Sequence, residues 1–419
     1  MSEMKAENRQ NPVVNRFRAA MLGVEVVAMA SIASLALGQA RSLTYTIVDT
    51  GQDSCFNNAH EIASPREGEA FFGQDAQYSG AQPAYRDNHD DTITDLNTGL
   101  TWVKVRGEKV TWDDAVKGAS ACRVGGYHDW RLPTIKELYS LINFTGGCDG
   151  RVANSTPYID IRYFEFAYGD ESQNERIIDC QDWSATEYIG TTMGGNATVF
   201  GVNFADGRIK GYPKAMRRRE GVMTKRLYVR YVRGNPRYGQ NDFHDNGDGS
   251  ISDRATGLIW SQGDSGRGMN WEESLAWVAA RNRANYLGHS DWRLPNAKEL
   301  QSIVDYTQAP SVTRSPAIDP LFTVTRLPDG DYPFFWTGTT HLEGPAHHRG
   351  TAAVYIAFGS ATGWMQFPPH RGPYRLEDVH GAGAQRSDPK AGEPEDYPRG
   401  RGPQGDVIRI SNYVRCVRE

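Results

Sequence analysis

The sequence lacks the short motifs by which many enzymes are recognised. It contains no Gly-x-Ser-x-Gly elbow, no His-Glu-x-x-His pair, no Gly-rich phosphate loop ending in Lys-Ser or Lys-Thr, and no Cys-x-x-Cys. Nothing in it therefore marks acyl transfer, zinc hydrolysis, nucleotide binding or thiol redox chemistry. Cysteine is scarce, five in 419 residues, and the count is odd, so a fully disulfide-paired single chain is excluded. A formal charge of −5 argues against a generally basic nucleic-acid binder. Beyond the first forty residues no run approaches the roughly 18 apolar residues that a membrane span requires. What is present, 39% hydrophobic with 11% aromatic residues, suffices for a packed core, and the length suggests two domains.

The first forty residues are set apart. Lys5, Arg9, Arg16 and Arg18 precede an apolar stretch from Ala19 to Leu37 that closes on Ala36, Gly38 and Ala40. Basic, apolar and small-residue regions in that order are the pattern of a secretory signal. Glu25 inside the apolar stretch disfavours a stable spanning helix. Residues 1–40 are read as a signal peptide or N-terminal anchor, and the protein as exported to the periplasm, cell surface or exterior. Residues 41–84 form a lead-in segment.

An internal repeat organises the remainder. Asp87-Asn-His-Asp-Asp-Thr-Ile-Thr-Asp-Leu-Asn-Thr-Gly-Leu-Thr-Trp102 corresponds to Asp245-Asn-Gly-Asp-Gly-Ser-Ile-Ser-Asp-Arg-Ala-Thr-Gly-Leu-Ile-Trp260. His128-Asp-Trp-Arg-Leu-Pro-Thr-Ile-Lys-Glu-Leu138 corresponds to Ser290-Asp-Trp-Arg-Leu-Pro-Asn-Ala-Lys-Glu-Leu300, and Tyr228-Val-Arg-Tyr-Val-Arg233 to Tyr413-Val-Arg-Cys-Val-Arg418. Units this long are globular domains, not turns of a solenoid. They are assigned to residues 85–234 and 235–419, the second carrying a long insertion at 366–406.

Each unit repeats the same local signals. A tight Asn-Thr-Gly or Ala-Thr-Gly turn joins two short strands. Thr111 with Asp114, and Asn270 with Glu273, open a first helix; Thr134 with Glu137, and Asn296 with Glu299, open a second. Leu138, Leu141 and Ile142, like Leu300, Ile303 and Val304, recur at the spacing of one buried helical face. The fold class is α+β, each domain having two helices and antiparallel strands.

These motifs resemble the Lcl C-terminal domain of bacterial collagen-like adhesins, whose signature combines Thr-Gly-Leu-x-Trp, Trp-Arg-Leu-Pro-x-x-x-Glu-Leu and Arg-Cys-Val-Arg segments. The resemblance implies two tandem C-type-lectin-like domains and a surface role in binding glycans. It also implies a distant likeness to formylglycine-generating enzymes, so an enzyme on that scaffold is the alternative, with a structural protein–protein module as a third. The Trp-Arg-Leu-Pro residues, together with Trp102, Trp112, Trp260 and Trp271, are read as scaffold and core rather than as a site.

Candidate ligand residues come instead from charge. In an acidic chain, Arg217, Arg218, Arg219, Lys225 and Arg226 form a basic run suited to sulfate or carboxylate groups of an anionic polysaccharide. The inserted loop adds His380, Arg386, Asp388 and Lys390. No nucleic-acid partner is expected, since aromatic platforms do not interleave with the basic run. Asp245, Asn246, Asp248 and Asp253 concentrate hard oxygen ligands on a turn, making calcium the one cofactor to test; otherwise none is expected. Cys148 and Cys180 flank a segment within the first unit and are read as a disulfide worth about 3–4 kcal/mol by loop-closure entropy.

Overall fold

Short strands dominate because the sequence alternates brief β-branched and aromatic runs with Gly- and Asn-rich turns. A computed structural model describes residues 43–218, 221–366 and 372–419. The proposed export segment lies outside the described residues. After a lead-in hairpin of β1 (Cys55–Phe56) and β2 (Glu61–Ile62), the first repeat contains β3 (Tyr85–Asp87), β4 (Thr92–Asp95), β5 (Leu100–Val103), α1 (Trp112–Ala121) and α2 (Ile135–Ser140). It continues through β6 (Asp182–Thr192), β7 (Asn196–Asn203), β8 (Arg208–Pro213), β9 (Ala215–Arg218), β10 (Gly221–Thr224) and β11 (Val232–Gly234). The second repeat has β12 (Phe243–Asp245), β13 (Ser250–Asp253), β14 (Ile259–Ser261), α3 (Trp271–Arg283), α4 (Ala297–Ser302), β15 (Phe334–His341) and β16 (Ala352–Ala357). It ends with β17 (Thr362–Gln366), β18 (Tyr374–Asp378), β19 (Gln385–Pro389) and β20 (Val417–Arg418).

The helix starts follow the sequence signals. Thr134 and Glu137, Asn270 and Glu273, and Asn296 and Glu299 form reciprocal capping boxes, and Thr111 accepts from the Asp114 amide. The signature arginines are structural: Arg293 forks onto Glu299 at 2.6 and 2.8 Å, and Arg131 onto Glu137 in the same way. The arginines of the closing segments are likewise internal. Arg230 donates to the carbonyls of Val103 and Lys104, and Arg415 to those of Ser261 and Gln262.

Each repeat forms a four-stranded antiparallel sheet, β11-β5-β4-β3 in the first and β12-β13-β14-β20 in the second. A six-stranded sheet runs β15-β16-β19-β8-β7-β6 and contains strands of both repeats. The crossing is made by the insertion. β17, which follows β16 as β8 follows β7, leaves this sheet to pair with β18, and inserted β19 takes the place beside β16 and meets β8 through Gln385 and Ile209.

The tandem repeats therefore share one compact unit, Thr44–Glu419, and one principal core in which Ile93, Trp102 and Leu138 cluster with Ile251, Trp260 and Leu300. The equivalent lysines of the two second helices are exchanged across the join. Lys136 Nζ donates to Ser302 O at 2.6 Å, and Lys298 Nζ to Ser140 O at 2.9 Å. Burial holds both amines down to about 8. The lead-in segment seals the second repeat: Gln52 pairs with the Thr340 backbone, while Thr50 and Thr339 hydroxyls donate to the buried Asp75 carboxyl at 2.8 and 2.6 Å. Burial raises Asp75 to about 7.

Candidate functional site

Alternation along β8 places Arg208, Lys210 and Tyr212 on one sheet face, leaving Ile209 on the other, in the core. Because Gln385 is the register partner of Ile209, Arg386 of β19 shares the face of Arg208 and Lys210. These side chains line a cavity of about 530 Å³ at the seam of the repeats. A void of this size lies in the range of small-molecule sites.

A charge network spans the seam. Asp206, in the turn before β8, accepts from Lys210 Nζ at 2.8 Å and faces Arg208 Nη1 at 3.4 Å. Arg208 also pairs with Glu343 and donates to Ser387 Oγ at 2.8 Å, which ties the first repeat to the second. Fully buried His341 contacts the Asp206 carbonyl through Nε2 at 2.8 Å and faces Glu343 at 3.3 Å. On the same face Arg386 pairs with Asp406, whose other oxygen is 2.8 Å from His380 Nε2.

Burial alone would raise Asp206, Glu343 and Asp406, but neighbouring cations hold all three carboxyls below their ordinary values. Burial lowers Lys210 to about 8 against the pull of Asp206, and His380 to about 4 against that of Asp406, so His380 is neutral near pH 7. Six basic side chains line the cavity (Arg176, Arg208, Lys210, Lys225, Arg386 and Arg401), against the three carboxylates Asp206, Glu343 and Asp406; of the six, Arg176 is also paired with Asp179 at 2.6 Å. Arg386 Nε and Nη1 and His380 Nδ1 are buried without a hydrogen-bond partner.

The residues expected from sequence divide accordingly. Lys225, His380 and Arg386 line the cavity. Arg217 and Arg218 lie on β9, whose hairpin reaches the cavity through Met216, and Arg219 lies outside the described residues. Arg226 is exposed, with its Nε on the Lys109 carbonyl. Two expectations are corrected. Asp388 is buried and accepts from the amides of Arg409 and Ile410 and from Asn412 Nδ2, so it pins the approach to the closing strand. Lys390 is buried 3.9 Å over the Trp271 ring and donates to Thr340 Oγ1 at 2.8 Å.

Two further expectations change. The acidic turn serves its own backbone: Asp245 accepts from the Gly247 amide, Asp248 from the Ser250 amide and hydroxyl, and Asp253 from Asn241 and the Asp242 and Ala255 amides. Among the described residues no group of three His, Cys, Asp or Glu side chains could hold a metal ion. The five cysteines are all free thiols. Cys148 and Cys180 are not bridged, because Cys180 points into the core toward the Ile177 carbonyl and Asn203 Oδ1.

Sequence reading missed Asp206, Arg208, Lys210, Glu343 and Asp406. A signal existed. Asp206, Arg208 and Lys210 follow β7, whereas the segment following β16, Gly359–Gln366, carries no charge. The copies diverge where the site forms.

Among the described residues no helix is long and apolar enough to cross a membrane. No curated protein and no solved structure matches the chain. The family described as the Lcl C-terminal domain matches it twice, over residues 91–233 and 249–376. Two matches in order, together well over half the sequence and laid on two copies of one arrangement of strands and helices, make this chain a member of the Lcl C-terminal domain family with the domain present in tandem.

Proposed function

We propose that this protein is a non-catalytic binding module, exported to the envelope or cell surface, and that the seam cavity holds an acidic residue of a glycan. The repeats on this reading are C-type-lectin-like. The observation that carries it is the excess of cations around the cavity together with the unpartnered, buried donors of Arg386. A buried donor without a partner is costly, about 1–3 kcal/mol, and an anionic oxygen would remove that cost. The formylglycine-generating alternative needs an accessible thiolate. Burial instead pushes Cys180 and Cys416 up to about 12 and raises Cys55 and Cys148, which leaves half-buried Cys122 as the thiol that such an enzyme would have to use.

The test is calorimetric titration with glucuronate and with a heparin oligosaccharide at low and high salt, on the native chain and on Lys225→Gln and Arg386→Gln. Binding that weakens with salt and falls at least tenfold in Arg386→Gln is expected, with circular dichroism confirming the fold. Absence of binding at low salt, or an affinity in both variants equal to that of the native chain, overturns the proposal.

A further inference from the structure

The cavity is two-sided, and the sides have different chemistry. Its charged part is built from the start of β8 and from β19, where Arg208, Lys210 and Arg386 meet Asp206 and Asp406. Along β8 the wall passes from Arg208 to Pro213, roughly 3.3 Å per residue, and the chain then enters the β9–β10 hairpin. Met216 and Met223 are direct cross-strand partners in that hairpin, so they occupy the same face, and both line the cavity. Met193, Ile178 and Ile408 also line the cavity. Met223 is 39% exposed while lining the cavity, so its side chain is open to a ligand there. Methionine suits such a surface because its unbranched, polarizable side chain adapts to flexible apolar groups. A free sugar acid offers hydroxyls to this wall and leaves the methionines without an apolar partner.

We infer that the ligand of the seam cavity is an amphiphilic acid: an anionic head that lies between Arg386 and Lys210, joined to a flexible apolar chain that lies along Met193, Met216 and Met223. This inference rests on the acid-binding reading above and narrows it. A lipid-linked sugar acid and a free fatty acid share this chemistry.

The test is competition calorimetry on the full chain below micellar concentrations, with octyl glucuronide, glucuronate, octyl glucoside and octanoate. The expected result is that octyl glucuronide binds at least tenfold more tightly than both glucuronate and octyl glucoside, and that the double substitution Met216→Ser/Met223→Ser brings the octyl glucuronide to glucuronate ratio close to one. Both methionines sit on a rim hairpin, and thermal melting checks that the variant is folded. Octanoate matching octyl glucuronide supports the inference and identifies a free acid as the source; octanoate binding much more weakly supports it and identifies the sugar-linked form. Equal affinity for glucuronate and octyl glucuronide overturns this inference and leaves the acid-binding reading standing. A ratio unchanged in the double variant also overturns it. Failure of every acid to bind better than octyl glucoside removes both.

Discussion

One substitution tests how the two copies diverged in their packing. Gly118 lies in α1 at the position that Trp277 holds in α3, and Tyr231 lies where the second repeat has Cys416. In the first copy the small residue faces the large one, and in the second the sizes are exchanged, with Trp277 packed against the cluster that holds Cys416. A Cβ on Gly118 would fall well inside contact distance of the Tyr231 hydroxyl oxygen, whereas Tyr231 Cζ would be 3.4 Å away. That hydroxyl donates to the Ala115 carbonyl at 2.9 Å. Gly118→Ala should gain about 0.5–1 kcal/mol of helix propensity. It should lose about 1–3 kcal/mol by overpacking and about 1 kcal/mol as the hydrogen bond is displaced. The net expectation is a destabilisation of about 1–3 kcal/mol. In a Tyr231→Phe background the offending oxygen is gone, the nearest atom is at an ordinary contact distance, and the same substitution should stabilise by about 0.5–1 kcal/mol. The sign reverses, giving a coupling of about 2–4 kcal/mol. Urea midpoints at constant m-value would measure it, and calorimetry should show about 1.3 °C per kcal/mol for a chain of this length. Equal losses in both backgrounds would refute the steric account.

Other outcomes follow from buried polar groups. Asp75 has its folded pKa raised to about 7, above the unfolded value, so the stability it contributes is full below about pH 4 and is lost as pH rises to about 7. Asp75→Asn should remove up to about 4 kcal/mol of that decline, visible as a flatter stability profile between pH 4 and 7 in urea titrations. Lys298→Met should destabilise by about 2–4 kcal/mol, because the carbonyls of Ser140 and Asp49 both lose their donor; unfolding midpoints check this. Arg208→Met should cost about 3–5 kcal/mol by leaving Glu343 and Asp206 short of a counterion, and adding Glu343→Gln should restore a large part, measured by the same titration.

Local chemistry was legible in the sequence and assembly was not. The capping boxes, the paired Trp-Arg-Leu-Pro helix starts and the hairpin turns are signals a few residues long, and all formed where expected. The seam cavity depends on β19 displacing β17 from the central sheet, a contact between segments some 175 residues apart at Ile209 and Gln385 that no local pattern encodes. Charge alone located part of the site. Arg386 and His380 reach the cavity, whereas Asp388 and Lys390, which alternation puts on the same side of the strand as Arg386, are taken up in packing contacts, Asp388 by the amides of Arg409 and Ile410 and Lys390 by Thr340 and the Trp271 ring. The acidic turn shows the converse case: a composition suited to a metal is used up by backbone amides of the turn itself.

The sheet that passes through the join also restricts how this molecule can be dissected. Cutting at residue 234, where the repeats meet in sequence, would take β19 from one side of β8 and β8 from one side of β19, making each an edge strand of its fragment. Open sheet edges invite pairing with other chains, so each half expressed alone should aggregate or pair with a second copy of itself. Neither fragment would keep a complete cavity wall, and a ligand lost on truncation would report the missing join, not a missing binding repeat.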